Sequence, residues 1–194
     1  MFIIRDANPQ DAEFIVDTVM GALGEELCIH LAGGKEKLPE VRKLFRTLAR
    51  REDSQYSFLN TYIAEINGEK AGAIVAYDGA LLHSLRPAFM EAANEILGWD
   101  IKPEDVEKWG DEAESDEFYL DSIYVAPEFR GKGVASRLIA HVIEKNRNIG
   151  KKFGLLVEPE NSRARHLYEA NGFREVGINN FFMVPMHHLQ KELS

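Results

Sequence analysis

The segment Arg130-Gly-Lys-Gly-Val-Ala-Ser136 packs two cations and two glycines into seven residues. A stretch that reads as a β-strand ends before it at Val125, and a helix pattern starts near Gly133. A helix N-terminus exposes backbone N–H groups with no intrahelical acceptor and carries about half a positive charge, so it attracts anions. Glycine permits positive φ and lets a phosphate approach the backbone closely. The turn therefore has the chemistry of a phosphate site, the alternative being a turn with two solvated cations. Two other phosphate motifs are excluded. There is no Gly-x-x-x-x-Gly-Lys-Ser/Thr run, and a single Gly-x-Gly pair does not make the dinucleotide fingerprint.

Acid–base chemistry points elsewhere. Asp121 interrupts the strand Phe118–Val125, which is otherwise rich in Tyr, Leu, Ile and Val. Simple alternation puts it on the same face as Tyr119, Ile123 and Val125. It is the leading candidate for a base or an acceptor-binding group, against a structural carboxylate that bonds a nearby N–H or an arginine. Glu117, at the strand entrance, is the second. Asn161 and Tyr168 are seven residues apart, so on a helix they share a face about 10 Å apart along the axis. Tyr168 is then either a core aromatic or a hydroxyl aimed at a site. Cys28, between Leu27 and Ile29, reads as buried and inert, and His187-His188 as surface residues without metal-ligand spacing. No metal is expected.

The elements that must hold these groups follow from periodicity. Phe2–Arg5 reads as a strand. Pro9 opens a helix with Phe14, Ile15, Val19 and Leu23 at helical spacing, broken at Ala32-Gly33-Gly34. Leu38 to about Arg50 is a second helix. Thr61–Ile66 and Lys70–Tyr77 form a hairpin about Asn67-Gly68. After the strand Phe118–Val125 come a helix over Gly133–Asn148, a strand over Lys152–Glu158, a helix over Ser162–Asn171 stopped by Gly172, and strands over Phe173–Gly177 and Phe181–Met186. With no repeat and no linker, residues 1–194 read as one mixed α/β domain. Gly79–Glu117 stands out as an acidic insertion with helices near Pro87–Leu97 and Pro103–Trp109. It holds eleven acidic residues against three basic ones, a balance of −8 in a chain whose total is −9. An acidic chain repels phosphate backbones, which argues against nucleic acid. The lone cysteine, the lack of a long apolar run and an N-terminus that enters a strand at once point to a cytoplasmic protein with no membrane span and no signal peptide.

Arg130-x-x-Gly133-x-Ala135 resembles the Arg/Gln-x-x-Gly-x-Gly/Ala signature of the GNAT superfamily of N-acetyltransferases. Tyr119-Leu-Asp-Ser-Ile-Tyr-Val125-x-Pro127 is similar to that family's fourth strand, and Asn161-x-x-Ala164-x-x-Leu167-Tyr168-x-x-x-Gly172-Phe173 to its later helix. Ile4-Arg5-Asp6-Ala7 and Asp11 resemble its opening. The resemblance implies an α/β (α+β) fold with a splayed, mostly antiparallel sheet of six or seven strands, flanked by helices. Acetyl-coenzyme A would be wedged where two parallel central strands part. It would meet the backbone of Ile123 to Val125, the N–H groups of Arg130, Gly131, Lys132, Gly133, Val134, Ala135 and Ser136, and Asn161, which could instead cap its helix. Tyr168 would stand beside the thioester sulfur as the acid.

The implied reaction is direct attack of a neutral amine on the thioester, through an oxyanion held by a backbone N–H near Val125. Protonating a thiolate from an ordinary tyrosine is uphill by ~1.5 pKa units. Tyr168 therefore needs either a field that lowers its pKa or proton transfer coupled to bond cleavage. The chain departs from some relatives in carrying Tyr119 where they place a glutamate base. The base thus falls to Asp121, then Glu117. The acidic insertion, ending beside Asp121, suggests steering of a cationic acceptor, the alternative being a solvated lid. An acyl-coenzyme A sensor without turnover would use the phosphate turn equally well, and a homodimer is left open.

Overall fold

The computed structural model describes residues 1–181 and 184–193. Seven strands form one sheet in the order β1-β2-β3-β4-β5-β7-β6. They are β1 (Phe2–Asp6), β2 (Thr61–Ile66), β3 (Glu69–Asp78), β4 (Glu117–Val125), β5 (Lys152–Val157), β6 (Arg174–Phe181) and β7 (Val184–Lys191). Every pairing is antiparallel except β4 with β5. The helices are α1 (Ala12–Ala32), α2 (Leu38–Arg50), α3 (Leu82–Leu97), α4 (Pro103–Val106), α5 (Val134–Asn146) and α6 (Ser162–Ala170).

The apolar stripes divide the helices between the two faces of the sheet. Val134, Leu138, Ile139 and Val142 of α5 bury against Ile74, Leu120, Phe153 and Leu155. On the other face Ile15, Val19, Val41, Leu44 and Phe45 of α1 and α2 pack with Val75 and with Ala88 and Phe89 of α3. Asn67 and Gly68 take φ of 54° and 87°, which lets a two-residue turn join β2 to β3.

The sheet forks at its centre. Parallel pairing of β4 with β5 covers only Glu117–Lys152, Phe118–Phe153 and Tyr119–Gly154. Beyond that, β4 stays with β3 as far as Val125, while β5 stays with β7 as far as Val157. The register of β4 slips on β3: Val75 faces Ser122 and Ala76 faces Leu120, so Asp121 is an extra residue with no partner. Such a bulge bends and twists its strand, and here it turns β4 away from β5.

The root of the fork is pinned by Glu117, which is fully buried. Its carboxylate accepts hydrogen bonds from His188 (2.7 Å), Gln190 (2.6 Å) and the Glu114 amide (3.0 Å). It lies over Gly154, where a Cβ would overlap it. His188, read above as a surface residue, is therefore buried, and His187 pairs with Glu175 at 2.9 Å. His188 and Leu189 are both buried, so a polar side chain takes a core position in the last strand and breaks its apolar pattern. The strands expected over Phe173–Gly177 and Phe181–Met186 run later, to Phe181 and over Val184–Lys191, and Phe182 and Met183 lie outside the described residues.

α3 starts five residues before the expected Pro87 and runs through it, losing one backbone hydrogen bond while burying Leu82, Leu85, Arg86, Ala88 and Phe89. Among the described residues no helix is long and apolar enough to cross a membrane, and no group of three or more His, Cys, Asp or Glu side chains could hold a metal.

Gly154→Ala is expected to cost about 1–3 kcal/mol, because the Glu117 carboxylate is pinned and cannot move aside. Urea unfolding checks this. A variant as stable as the parent would mean that Glu117 is free to shift.

Candidate active site

Where β4 and β5 part, a cleft of about 740 Å³ opens. Its floor is Tyr119, Asp121, Ser122 and Ile123. One wall is Leu156, Val157 and Glu158 with Asn161, the cap of α6, and Ala164 and Tyr168 within it. The other is α1 from Gly21 to Leu27 with His30, and Phe181, Val184 and Met186 form the rim. The wall from α1 exists because the helix breaks in mid-course: Gly24 has φ 80° and ψ 160°, a conformation glycine alone adopts without strain. One turn earlier, Gly21 lets α1 touch β4. A Cβ there would lie 2.5 Å from the Tyr124 ring.

The turn after β4 has the geometry of an anion cradle. Gly131 and Gly133 take φ of 75° and 74°, and a Cβ at either would meet nothing within 4 Å. Backbone therefore faces open space at the start of the 13-residue helix α5, whose first N–H groups have no preceding carbonyl to bond. The Arg130 guanidinium donates to the Val125 carbonyl at 3.1 Å and fastens the turn to the end of β4. Lys132 stands 5.1 Å over the Phe129 ring. Ser136 accepts from Asn171 at 3.1 Å, tying α5 to the end of α6. Val134 is buried in the core and contributes backbone only, and Ala135 is partly buried. From Leu120 onward the β4 edge towards β5 has no strand across from it, so the backbone of Ile123 and Val125 lies along the cleft side of the fork. This arrangement fits a long ligand with an amide-bearing arm and a phosphorylated end.

Asp121 and Tyr168 meet in this cleft, and Asn161 with them. Asn161 caps α6 through the Ala164 amide (3.1 Å) and also lines the cleft. Asp121 accepts from the Ser122 hydroxyl at 2.7 Å and from the Tyr77 hydroxyl at 3.4 Å. Burial, opposed by the Ser122 hydrogen bond and helped by the charge of Glu112, pushes its carboxyl up to about 7. The bulge alters its placement. Asp121 keeps to the side of Tyr77 and Tyr119, while Ile123 and Val125 pack with the α5 core, so the single face inferred from alternation splits in two. Tyr168 packs edge-on to Phe173 (6.2 Å), and burial pushes its hydroxyl up to about 12. A field that lowers it is therefore absent. Glu117 does not line the cleft; its place is the root of the fork. Tyr119 is buried against Tyr77, ring centroids 5.7 Å apart, and burial raises its pKa well above the usual value. Cys28 is buried, and burial raises its thiol as well.

The acidic insertion stands elsewhere than expected. None of Gly79–Glu117 lines the cleft among the described residues. The carboxylates at its mouth are Glu25 and Glu26 of α1 and Glu158. Sequence reasoning missed these three and His30. The isolated Gly24 within an otherwise helical pattern was the available signal, since such a glycine marks a break or a close approach.

Residues 34–173 match the acetyltransferase (GNAT) family. The chain belongs to this family. A stretch of 59 residues is 41% identical to thialysine N-epsilon-acetyltransferase of Sus scrofa, covering 30% of this chain and 35% of that one, so the match spans about a third of the relative's length. An N-acetyltransferase from Staphylococcus aureus superposes with a TM-score of 0.73 at 23% identity, over 97% of this chain and 99% of the other. Another acetyltransferase structure gives 0.75 at 27% identity, over 99% and 100%. The forked sheet with its flanking helices is thus the GNAT fold.

Gly133→Val is expected to weaken coenzyme A binding at least tenfold in calorimetry, since its side chain would fill the open space before α5. The positive φ adds a stability cost of about 1–2 kcal/mol. A folded variant that binds coenzyme A like the parent would displace the cradle from this turn.

Proposed function

We propose that this GNAT protein transfers the acetyl group of acetyl-coenzyme A to the amine of a cationic acceptor, with Asp121 as base and Tyr168 as the hydroxyl donor to sulfur. The observation that carries this reading is the fork itself. Asp121 is on the floor and Tyr168 on the wall of one cleft that follows β4 as far as Ile123.

The Gly131–Ser136 backbone holds the pyrophosphate, the free edge of β4 at Ile123 and Val125 holds the pantetheine arm, and Asn161 borders it. The thioester supplies an acyl carbon open to attack. An acceptor amine arrives protonated, and Asp121 takes its proton. At about 7 this carboxyl is close to working pH, where a general base is most effective. The amine nitrogen then bonds the acyl carbon, the carbon–sulfur bond breaks, and sulfur receives the Tyr168 proton. With Tyr168 near 12 and a thiol near 8.5, stepwise transfer is uphill by about 5 kcal/mol. The hydroxyl proton therefore moves as the bond breaks. The nitrogen gives up its second proton to solvent, Tyr168 regains one from solvent, and Asp121 releases its own.

The acceptor charge follows from the walls. Asp121, Glu25, Glu26 and Glu158 line the cleft, and neither Lys nor Arg does among the described residues. Lys35 pairs with Glu25 at 2.9 Å, leaving Glu26 and Glu158 the larger part of the attraction. The thialysine acetyltransferase named above acts, by its name, on an amine of this kind.

Free-thiol release from acetyl-coenzyme A across a panel of amines tests the reading. Tyr168→Phe should lower kcat by roughly 10- to 10⁴-fold with coenzyme affinity kept. Since Asp121 is a base only when ionised, kcat/KM should rise through about pH 7, and Asp121→Asn should abolish that limb. Binding of coenzyme A with no thiol release on any amine would make the protein a sensor instead.

The acceptor claim has its own measurement. Glu25→Gln/Glu26→Gln should lower kcat/KM for a diamine by about fivefold at low salt and leave a neutral amine unaffected. Equal losses for both amines would remove charge from acceptor choice.

A further inference from the structure

Asp121 and Ser122 follow one another in β4, and both line the cleft. Consecutive side chains of a regular strand point to opposite faces, so their meeting needs a cause, and the register supplies it. Val75 and Tyr77 lie two apart on β3 and share a face. Tyr119 stands across from Tyr77, and Ser122 across from Val75. Leu120 and Ile123 stand across from Ala76 and Ile74 and bury with them on the α5 side. Tyr119 and Ser122 are an odd number of residues apart, so strict alternation would put them on opposite faces. The unpaired Asp121 is the extra step that keeps them on one. Asp121 turns to that same face, where its Oδ2 accepts from the Tyr77 hydroxyl at 3.4 Å. The bulge thus sets a carboxylate and a hydroxyl side by side, and the Ser122 hydroxyl donates to Asp121 Oδ1 at 2.7 Å.

We propose that Ser122 is a positioning residue for the base: its hydroxyl fixes the Asp121 carboxylate in the cleft, and the bulge of β4 is what brings the pair together. This rests on the reading of Asp121 as the base. The contact has the length of a charge-assisted O–H···O⁻ bond. Ser122 is only 3% exposed, so bulk water competes little for that hydroxyl. An ionised carboxylate only accepts, so the hydroxyl must donate to it. A carboxylic acid has a proton of its own, and a hydroxyl also accepts. The bond can therefore reverse its direction when Asp121 takes up the amine proton, and the group stays in place through both halves of the cycle. The Tyr77 contact to the other oxygen is longer and weaker. With a donor at each oxygen, the carboxylate cannot turn about its last bond without giving up the shorter contact. Holding a reacting group in its productive geometry is what such a contact contributes to rate.

The ionisable groups around Asp121 are of two kinds. On the protein side Tyr56, Tyr77 and Tyr119 are all raised well above the usual range by burial and so neutral, and Glu112 is paired with Arg86. Across the cleft stand His30, Glu25 and Glu26 of α1, and Glu158 and Tyr168 on the far wall. Burial and the Glu112 charge disfavour the ionised carboxylate, while the Ser122 donor favours it. Removing the hydroxyl therefore raises the pH at which Asp121 ionises and frees the carboxylate to turn.

The experiment follows the Asp121 carboxyl by carbon NMR through a pH titration, alongside the pH profile of kcat/KM, in the full chain. Ser122→Ala should move both the titration and the acid limb up by about half a pH unit or more. On the plateau above that limb Asp121 is ionised in parent and variant alike. There kcat/KM should still be lower by about tenfold, because the carboxylate is free to turn. Ser122→Thr keeps the hydroxyl in a residue that suits a strand, and it should hold both readings near the parent's. A folded Ser122→Ala whose titration stays within about 0.2 units of the parent overturns the proposal. So does a Ser122→Thr that loses as much as Ser122→Ala. Should Ser122→Ala not fold, Ser122→Cys, whose thiol is only a weak donor, should shift the titration the same way, and no shift there overturns the proposal. A titration that moves while the rate limb stays fixed upholds the Ser122 contact and overturns Asp121 as the base.

Discussion

Parallel pairing between β4 and β5 survives for only three residue pairs, and the site exists because it stops there. A sheet that remained closed would satisfy its own backbone and leave no edge for a ligand. A sheet that opened without restraint would have no defined width. Two features set the limit. The extra residue at Asp121 bends β4 away from its neighbour, and the buried Glu117 ties β4 to β7 at the point where the bend begins. Glycine at position 154 is the packing counterpart of that tie, since any side chain there would occupy the space of the carboxylate.

The two carboxylates of β4 illustrate how environment divides roles among like residues. Glu117 collects two side-chain donors and a backbone amide and has no contact with the cleft. Asp121 has the Ser122 and Tyr77 donors, but it sits between burial on one side and an open cleft on the other. A carboxylate held in that way can take up a proton near neutral pH and exchange it with a bound amine. A fully enclosed one fixes architecture.

The order of strands and helices and the glycine turn were legible because each depends on short-range pattern, and Asp121, Asn161 and Tyr168 do line one cleft. Gly131 and Gly133 announce positive φ, Asn161 sits one residue before a helical stripe, and Asp121 breaks an apolar run. What was illegible depends on partners far along the chain. Glu117 meets a histidine 71 residues away, and Gln55 meets Glu112 across 57. The sharing of a face by Asp121 and Ile123 failed because a bulge shifts alternation by one residue, and no single-residue property marks a bulge.

Charge shows the same limit most plainly. Counting along the sequence makes Gly79–Glu117 the acidic segment, yet a count has no direction. In space Asp111 and Glu112 are matched by Arg86, Asp105 by Lys108, Glu91 by Arg51, and Asp116 by Lys152 from β5. Two of those cations lie outside the segment, so the count overstated its field. The field at the cleft mouth comes instead from a few carboxylates, Glu25 and Glu26 on one wall and Glu158 on the other. A broken helix brings the first two there: had α1 run straight through Gly24, the turn bearing them would have followed a different line, and the acceptor would meet a different wall.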